Sequence, residues 1–376
     1  MKNKIILFII QFLILSACKS DNSNKISPIL SDSGESNIKY AQGFSVSHFE
    51  DYQLVDIQDP SGESDLQYHY ALLQRGKSKA SIPSEYEIIE VPIKSAICLT
   101  TLQLSSFIKL KALDKIVGIS STRFLFNPQM KEQLAAGHTQ RIGSEGEFDA
   151  ELVMALQPDI ILVSPFKRGG YDAIRNLDIP LVNFLGYKET SPLGQAEWIK
   201  FVGLLLGMEE KAEKEFQEIE QKYNELKALT ESKKEKPTVL SGELHSGNWY
   251  VVGGKSYLAH LFEDAGGNYF MQNDNESGGF YVDFESVYSQ GANADFWRIV
   301  NSHNGTFSYE VLDKTDARYA DFKAFQDKKV IYCNLREKPF YENTPVEPEV
   351  VLADLIKIFH PDLLPNHVPV YYELLK

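Results

Sequence analysis

The chain has 376 residues, with 38 basic and 52 acidic side chains and a formal net charge of −14. That balance repels phosphate backbones and argues against a nucleic-acid partner, while it suits a soluble partner with a basic surface. Hydrophobic residues make up 43% of the sequence, enough to bury the cores of two ordinary domains.

At the N-terminus, Lys2 and Lys4 precede an apolar run from Ile5 to Leu15. The run is too short to span a bilayer as a mature helix, so residues 1–17 read as a secretory signal. Leu15-Ser16-Ala17-Cys18 closes it in the pattern of a bacterial lipobox, with Cys18 as the lipidated residue. The alternative is an ordinary signal with a chance cysteine. No later segment is apolar enough to cross a membrane, which leaves the acyl chains as the only anchor. Residues 18–40 are rich in Ser, Asn and Asp and read as a flexible tether. Two further cysteines, Cys98 and Cys333, fall in different halves. A disulfide is allowed in an oxidising compartment, but it would lock the halves together, and two buried free thiols are the better reading.

Residues 41–86 read as a β-meander, with strands over Tyr52–Ile57 and Tyr68–Leu73 around the turn Asp59-Pro60-Ser61-Gly62. From Ile88 the pattern becomes alternating strands and helices. Strands are predicted over Ile88–Ile93, Lys115–Ser120, Ile160–Ser164 and Ile179–Leu185, and helices over Thr101–Leu113 and Asp149–Leu156. Such βαβ units imply a parallel sheet covered on both faces. Ser191 caps a helix with Pro192 at its first position, and Gly207 ends it after Leu206. A second helix, Glu209–Leu229, carries Ala212, Phe216, Ile219, Tyr223 and Leu226 as one apolar stripe on a charged rod. It is about 30 Å long at the usual helical rise. A second βα series follows, with strands Val239–Glu243, Phe296–Asn301 and Val330–Asn334 and helices near Ser256–Ala265, Asp321–Phe325 and Val346–Phe359. The predicted fold is therefore α/β, with two Rossmann-like lobes of mainly parallel sheet over residues 87–206 and 233–376. One long helix within residues 207–232 joins them, and the meander is appended to the first lobe.

In open parallel sheets ligands bind beyond the carboxyl ends of the strands. The loops there hold Arg123, Phe124, Phe166, Lys167, Trp249, Tyr250, Tyr257, Arg336 and Tyr341, a set rich in rings and cations. Rings offer rigid area to a flat or lipophilic ligand, and guanidinium or ammonium groups meet carboxylates or catecholates. Exposed loops carry charge in any protein, so it is the coincidence over several loops that marks a site.

Three passages in the chain from about Val91 onward resemble the class III solute-binding proteins of ABC importers, the group serving cobalamin, ferric siderophores and heme. The first runs from Asp114-Lys115-Ile116-Val117-Gly118 through Ile142-Gly143 to Glu151-Leu152-Val153-Met154-Ala155-Leu156-Gln157-Pro158-Asp159. The second is Leu204-Leu205-Leu206-Gly207 leading into the long helix, and the third is Gly253-Gly254-Lys255-Ser256-Tyr257 continuing to Asp264-Ala265-Gly266-Gly267-Asn268. The resemblance implies a monomeric, non-enzymatic, lipid-anchored protein of the cell envelope, facing the periplasm or the outer face. Its partners would be a small-molecule iron or cobalt complex, captured in the cleft between the two lobes, and an ABC permease dimer. No cofactor of its own is implied. In that family a glutamate at the tip of each lobe pairs with permease arginines; Glu151 matches in the first lobe, and Glu285 is the looser counterpart in the second. The stiff linking helix implies closure by a few degrees. The meander has no counterpart in the family pattern.

Three rival functions are weaker: a hydrolase, a binder of free divalent metal, and a purely structural or adhesive surface lipoprotein. For a hydrolase, Gly254-Lys255-Ser256 imitates the tail of a phosphate-binding loop, but Trp249 stands where such a loop needs glycine. For a binder of free divalent metal, the eight histidines are dispersed. Among the preferred ligands, heme needs an axial group, for which Tyr250, Tyr257, Tyr281, His245 and His303 are candidates. A ferric siderophore would use Arg123, Lys167 and Arg336, and cobalamin would lean on Trp249 and Phe166.

Overall fold

The computed structural model describes residues 37–144, 146–165 and 170–376. The lipobox with Cys18, and the candidate ligand residues Phe166 and Lys167, lie outside the described residues.

Three antiparallel strands, β1 (Phe44–His48), β2 (Tyr52–Gln58) and β3 (Gln67–Gln74), form the meander. Its alternation buries Val55 and Ile57 toward the main core and sends Leu54 into a small cluster on the other face. The turn between β2 and β3 closes through Gly62 N–H to Asp59 O at 3.2 Å, and Gly62 takes a positive φ of 72°. The strand expected to open the first lobe, β4 (Glu87–Val91), instead pairs in parallel with β3. It carries Ile89 and Val91 into the core from the meander's edge, so the appended sheet has four strands and extends past residue 86.

The first lobe runs β5 (Ala96–Cys98), α1 (Thr101–Lys109), β6 (Ile116–Ile119), α2 (Pro128–Ala135), β7 (Gln140–Arg141), a small hairpin of β8 (Gly143–Ser144) and β9 (Glu147–Phe148), α3 (Ala150–Leu156), β10 (Ile160–Val163), α4 (Asp172–Arg175), β11 (Leu181–Asn183) and α5 (Pro192–Leu206). Its all-parallel sheet has the order β11-β10-β5-β6-β7, so numbering its five strands along the chain gives 3-2-1-4-5 read from the other edge. Ser191 accepts from Gly194 N–H and caps α5, and Gly207 ends it in the left-handed conformation at φ 64°. Gly203 permits α5 to meet the next helix, since a Cβ there would fall 2.5 Å from the Ala212 Cβ.

That next helix, α6 (Glu209–Thr230), buries Ala212, Phe216, Ile219 and Tyr223 in the same core, as its stripe predicts. Residues assigned to the tether are also fixed. The fully buried Glu197 carboxylate of α5 accepts the backbone N–H groups of Lys39, Tyr40 and Ala41, so ordered chain begins before residue 41.

The second lobe comprises β12 (Thr238–Ser241), β13 (Leu244–His245), β14 (Asn248–Val252), α7 (Tyr257–Asp264), β15 (Asn268–Tyr269), β16 (Gly279–Val282), α8 (Phe284–Gly291), β17 (Phe296–Asn301), α9 (Tyr309–Thr315), α10 (Lys323–Gln326), β18 (Val330–Asn334), α11 (Phe340–Asn343), α12 (Pro348–Phe359) and β19 (Glu373–Leu374). Its main sheet is β15-β12-β17-β18-β19, a 2-1-3-4-5 order with only β19 antiparallel. An antiparallel sheet, β13-β14-β16, inserts after β12. Cys98 and Cys333 are both buried and free, and burial pushes the Cys333 thiol up to about 12.

Candidate functional site

The two strand orders place their topological switch points differently. In the second lobe it falls between β12 and β17, and a cavity of about 460 Å³ opens there. Ser241, Gly242 and Glu243 line it from the end of β12, and Arg298 and Val300 from β17. His245, Tyr250, Val251, Val252 and Tyr281 come from the inserted sheet, Leu258 from α7, and Phe340 and Tyr341 from α11. The volume falls in the range of small-ligand sites.

Two charges occupy the cavity. Arg298 donates from Nε to the Tyr372 hydroxyl at 2.8 Å and from Nη1 to Ser241 Oγ at 3.3 Å, which fixes its fork. Burial pushes the Glu243 carboxyl up, opposed by a hydrogen bond from Asn301 and by the nearby His245. Tyr250 and Tyr281 meet edge to face at 5.3 Å, and each is about half exposed toward the opening. The site thus offers rings, one oriented cation and one acid in a largely apolar shell.

The inserted sheet overturns one expectation. Trp249 and Tyr250 are adjacent on β14 and so face opposite ways. Tyr250 points outward to the cavity, whereas Trp249 is fully buried, packs at 5.6 Å against Trp297 and donates to Ser241 O. It is a core residue and cannot touch a ligand. Tyr257 also leaves the set: it opens α7 behind the Ser256 cap and packs against the main core rather than lining the cavity. Tyr250 and Tyr341 keep their places. Arg298, Glu243 and Val300, which the loop reading passed over, join them.

Among the described residues, every lining side chain comes from the second lobe. The first lobe reaches the cavity's edge: Phe124 packs on Tyr341 at 5.6 Å, and Arg123 lies over the Phe124 ring at 4.9 Å. Arg123 Nη2 donates to Ser302 Oγ at 3.1 Å, and Arg336 Nε donates to the Ser302 carbonyl at 2.7 Å. Two exposed arginines, one from each lobe, therefore converge on Ser302 at the end of β17. The buried Glu342 links the lobes beside them, since both its oxygens accept from Phe126 and Asn127 N–H.

In the first lobe the switch point lies between β5 and β10, and among the described residues a single side chain occupies it. Gln103, fully buried, accepts the Leu99 and Thr100 N–H groups and donates to Ser164 Oγ at 2.9 Å. The space left among the described residues beside Ser164, Phe184 and Tyr187 is about 10 Å³, room for a single water at most.

Glu151 and Glu285 occupy matching positions. Asp149 caps α3 through Leu152 N–H and Asp283 caps α8 through Ser286 N–H, and each glutamate is the second helical residue. Both are exposed, and Glu285 lies 3.9 Å from Arg318. Of the histidines considered, His245 lines the cavity, while His303 rests on Phe307 at 5.3 Å outside it. No group of three or more metal-binding side chains, and no helix long and apolar enough to cross a membrane, is present among the described residues.

Residues 97–336 match the family model of a periplasmic binding protein. Two uncharacterized lipoproteins of Methanocaldococcus jannaschii are similar over most of their length. One is 25% identical over 91% of this chain and 88% of its own, the other 22% identical over 95% and 92%. Among solved structures, a periplasmic heme binding protein from Pseudomonas aeruginosa aligns with a TM-score of 0.60 at 18% identity, covering 76% of this chain and 98% of its own. A TroA-like periplasmic binding protein, FepB, from Veillonella parvula aligns at 0.57 and 17% identity, covering 77% and 96%.

Proposed function

The chain belongs to the periplasmic binding protein family, in its two-lobed class III form, and from that premise we propose that it is the substrate-binding lipoprotein of an ABC importer that captures an iron- or cobalt-containing chelate. The second lobe's cavity holds the ligand. One observation carries this reading: a ring-lined crevice at the β12–β17 switch point whose edge carries an arginine from each lobe. The rings suit the flat or lipophilic body of a chelate, and the guanidinium pair suits its carboxylate or catecholate oxygens. A heme binding protein among the structural neighbours supports a chelate as the class of ligand.

Lipid on Cys18 holds the protein at the membrane, where Glu151 and Glu285 meet basic residues of the permease. Their equivalent capped positions on the two lobes give them a fixed spacing. The ligand is tested by titrating the delipidated protein with hemin, a ferric tricatecholate and cobalamin while following tryptophan fluorescence. Trp249 and Trp297 sit beneath the cavity, so saturable quenching by at least one chelate is expected. Quenching by none, with bare metal ions bound instead, would transfer the function to free-metal capture. Docking is tested by the double change Glu151→Lys and Glu285→Lys, which is expected to abolish uptake by reconstituted transporter at unchanged ligand affinity; unchanged uptake would remove the docking role.

A further inference from the structure

The appended sheet has no part in the family's two-lobed plan, yet its turn reaches both lobes. Asp59 is almost fully buried and pairs with Lys188 of the first lobe at 2.5 Å, and it also accepts the Ser61 N–H and hydroxyl. Burial opposes its charge, but Lys188 and Ser61 outweigh burial and hold the carboxyl below its ordinary range. The turn is thus anchored. From it, Ser61 O accepts a hydrogen bond from Ser277 Oγ of the second lobe at 3.4 Å. Glu63, 3.5 Å from Lys188, lays its carboxylate against Gly278, where a Cβ would stand 2.2 Å from Oε1.

The next residue, Gly279, is equally constrained from the cavity side, since a Cβ there would lie 1.8 Å from the Tyr250 hydroxyl. Two successive glycines therefore receive, one each, the carboxylate of the appended sheet and a ring of the ligand cavity. Glu63 is close enough to be felt at Tyr250: burial raises that hydroxyl's pKa, with Tyr281 and then Glu63 adding to it.

We propose that the Asp59–Glu63 turn forms a rim of the ligand crevice, beyond the cavity's own lining, and that Glu63 is a specificity-determining residue, favouring chelates that present a hydrogen-bond donor or positive charge beside Tyr250. The inference rests on the chelate-binding reading above. It sharpens the ligand class: an amphoteric chelate, with anionic oxygens toward Arg123 and Arg336 and a donor or ammonium group toward Glu63. A carboxylate rim also disfavours wholly anionic competitors, because Glu63, only partly compensated by Lys188 at 3.5 Å, repels a like charge brought beside it.

The test compares two probes, ferrioxamine B, which carries a free ammonium group, and a multiply anionic ferric tricatecholate. Affinities are measured for wild type, Glu63→Gln, Glu63→Lys and Gly278→Ala. Glu63→Lys is expected to move the affinity ratio toward the anionic probe by about tenfold. Glu63→Gln should move it the same way by less, and Gly278→Ala should follow Glu63→Gln because its Cβ displaces the carboxylate. A ratio unchanged within about twofold in Glu63→Lys overturns the selectivity role while chelate binding stands. Movement in Glu63→Lys without movement in Gly278→Ala overturns the placement against the strand. Failure of wild type to bind either probe, hemin or cobalamin overturns the chelate reading and this inference together.

Discussion

The two lobes share an architecture and treat the same topological crevice in opposite ways. Both sheets are doubly wound, and in both the chain reverses direction across the sheet at one point where loops part. In the first lobe Gln103 fills that point, satisfying three buried polar groups with one side chain. In the second, the inserted β13-β14-β16 sheet stands off from the strand ends and leaves about 460 Å³ lined with rings. Topology therefore marks where a site can be, and a single buried amide or an inserted hairpin decides whether there is one. The plugged crevice serves stability, and the open one is the crevice we propose for binding.

That division makes the two lobes respond differently to substitution. Gln103→Ala, in the plug, leaves the Leu99 and Thr100 amides and the Ser164 hydroxyl short of a partner and opens a hole. We expect a loss of about 3 kcal/mol in urea unfolding, with ligand affinity within about twofold of wild type. Glu342→Ala, at the join between the lobes, strips the Phe126 and Asn127 amides of their acceptor and should lower stability by about 2 kcal/mol. Glu342→Gln, which keeps an acceptor oxygen, should recover about half of it. Arg123→Ala, at the crevice edge, removes one of two cations and should weaken an anionic chelate by about fivefold to tenfold in the same titrations, with no change in unfolding midpoint.

The smallest expected effect concerns pH. Glu243 has its folded-state pKa raised above the ordinary 4.5, chiefly by burial. The folded protein therefore holds that proton at pH values where the unfolded chain has released it, so this carboxyl's contribution to stability declines as pH rises through the window above 4.5. Glu243→Gln is neutral throughout. It should be more stable than wild type at pH 8 by about 0.5–1 kcal/mol, the gap closing as the pH falls to about 4.5. A gap that widened on acidification would mean that the carboxylate is a stabilising partner in the cavity.

How much of this was legible beforehand follows from the physics of each element. The strands Phe296–Asn301 and Val330–Asn334 and the pair α5–α6 were readable because continuous apolar runs, a Ser-Pro start, a glycine stop and a four-and-three stripe are local signals. β4 misled the reading because an apolar strand does not declare which sheet it joins, and pairing with β3 is a long-range choice. The direction of Trp249 is set by the hairpin at Ser246-Gly247. Both residues take positive φ, with Leu244 opposite Trp249 and His245 opposite Asn248. From that Ser-Gly turn the period of two sends Trp249 inward and Tyr250 outward. Arg298 carried a signal of its own, a single charge inside the apolar strand Phe296-Trp297-Arg298-Ile299-Val300. Nothing local in the sequence joined Glu63 to Gly278, some two hundred residues apart.

Binding of ligand in the open crevice of the second lobe is the proposal on which the rest depends. It is tested most directly by the double change Tyr250→Ala and Tyr341→Ala, with the affinity for whichever chelate wild type binds as the readout. Both rings line the cavity and neither is part of the fully buried core, so we predict an affinity loss of about 100-fold or more with unfolding shifted by less than about 1 kcal/mol. Wild-type affinity in the double variant would contradict the account and place the ligand elsewhere on the molecule.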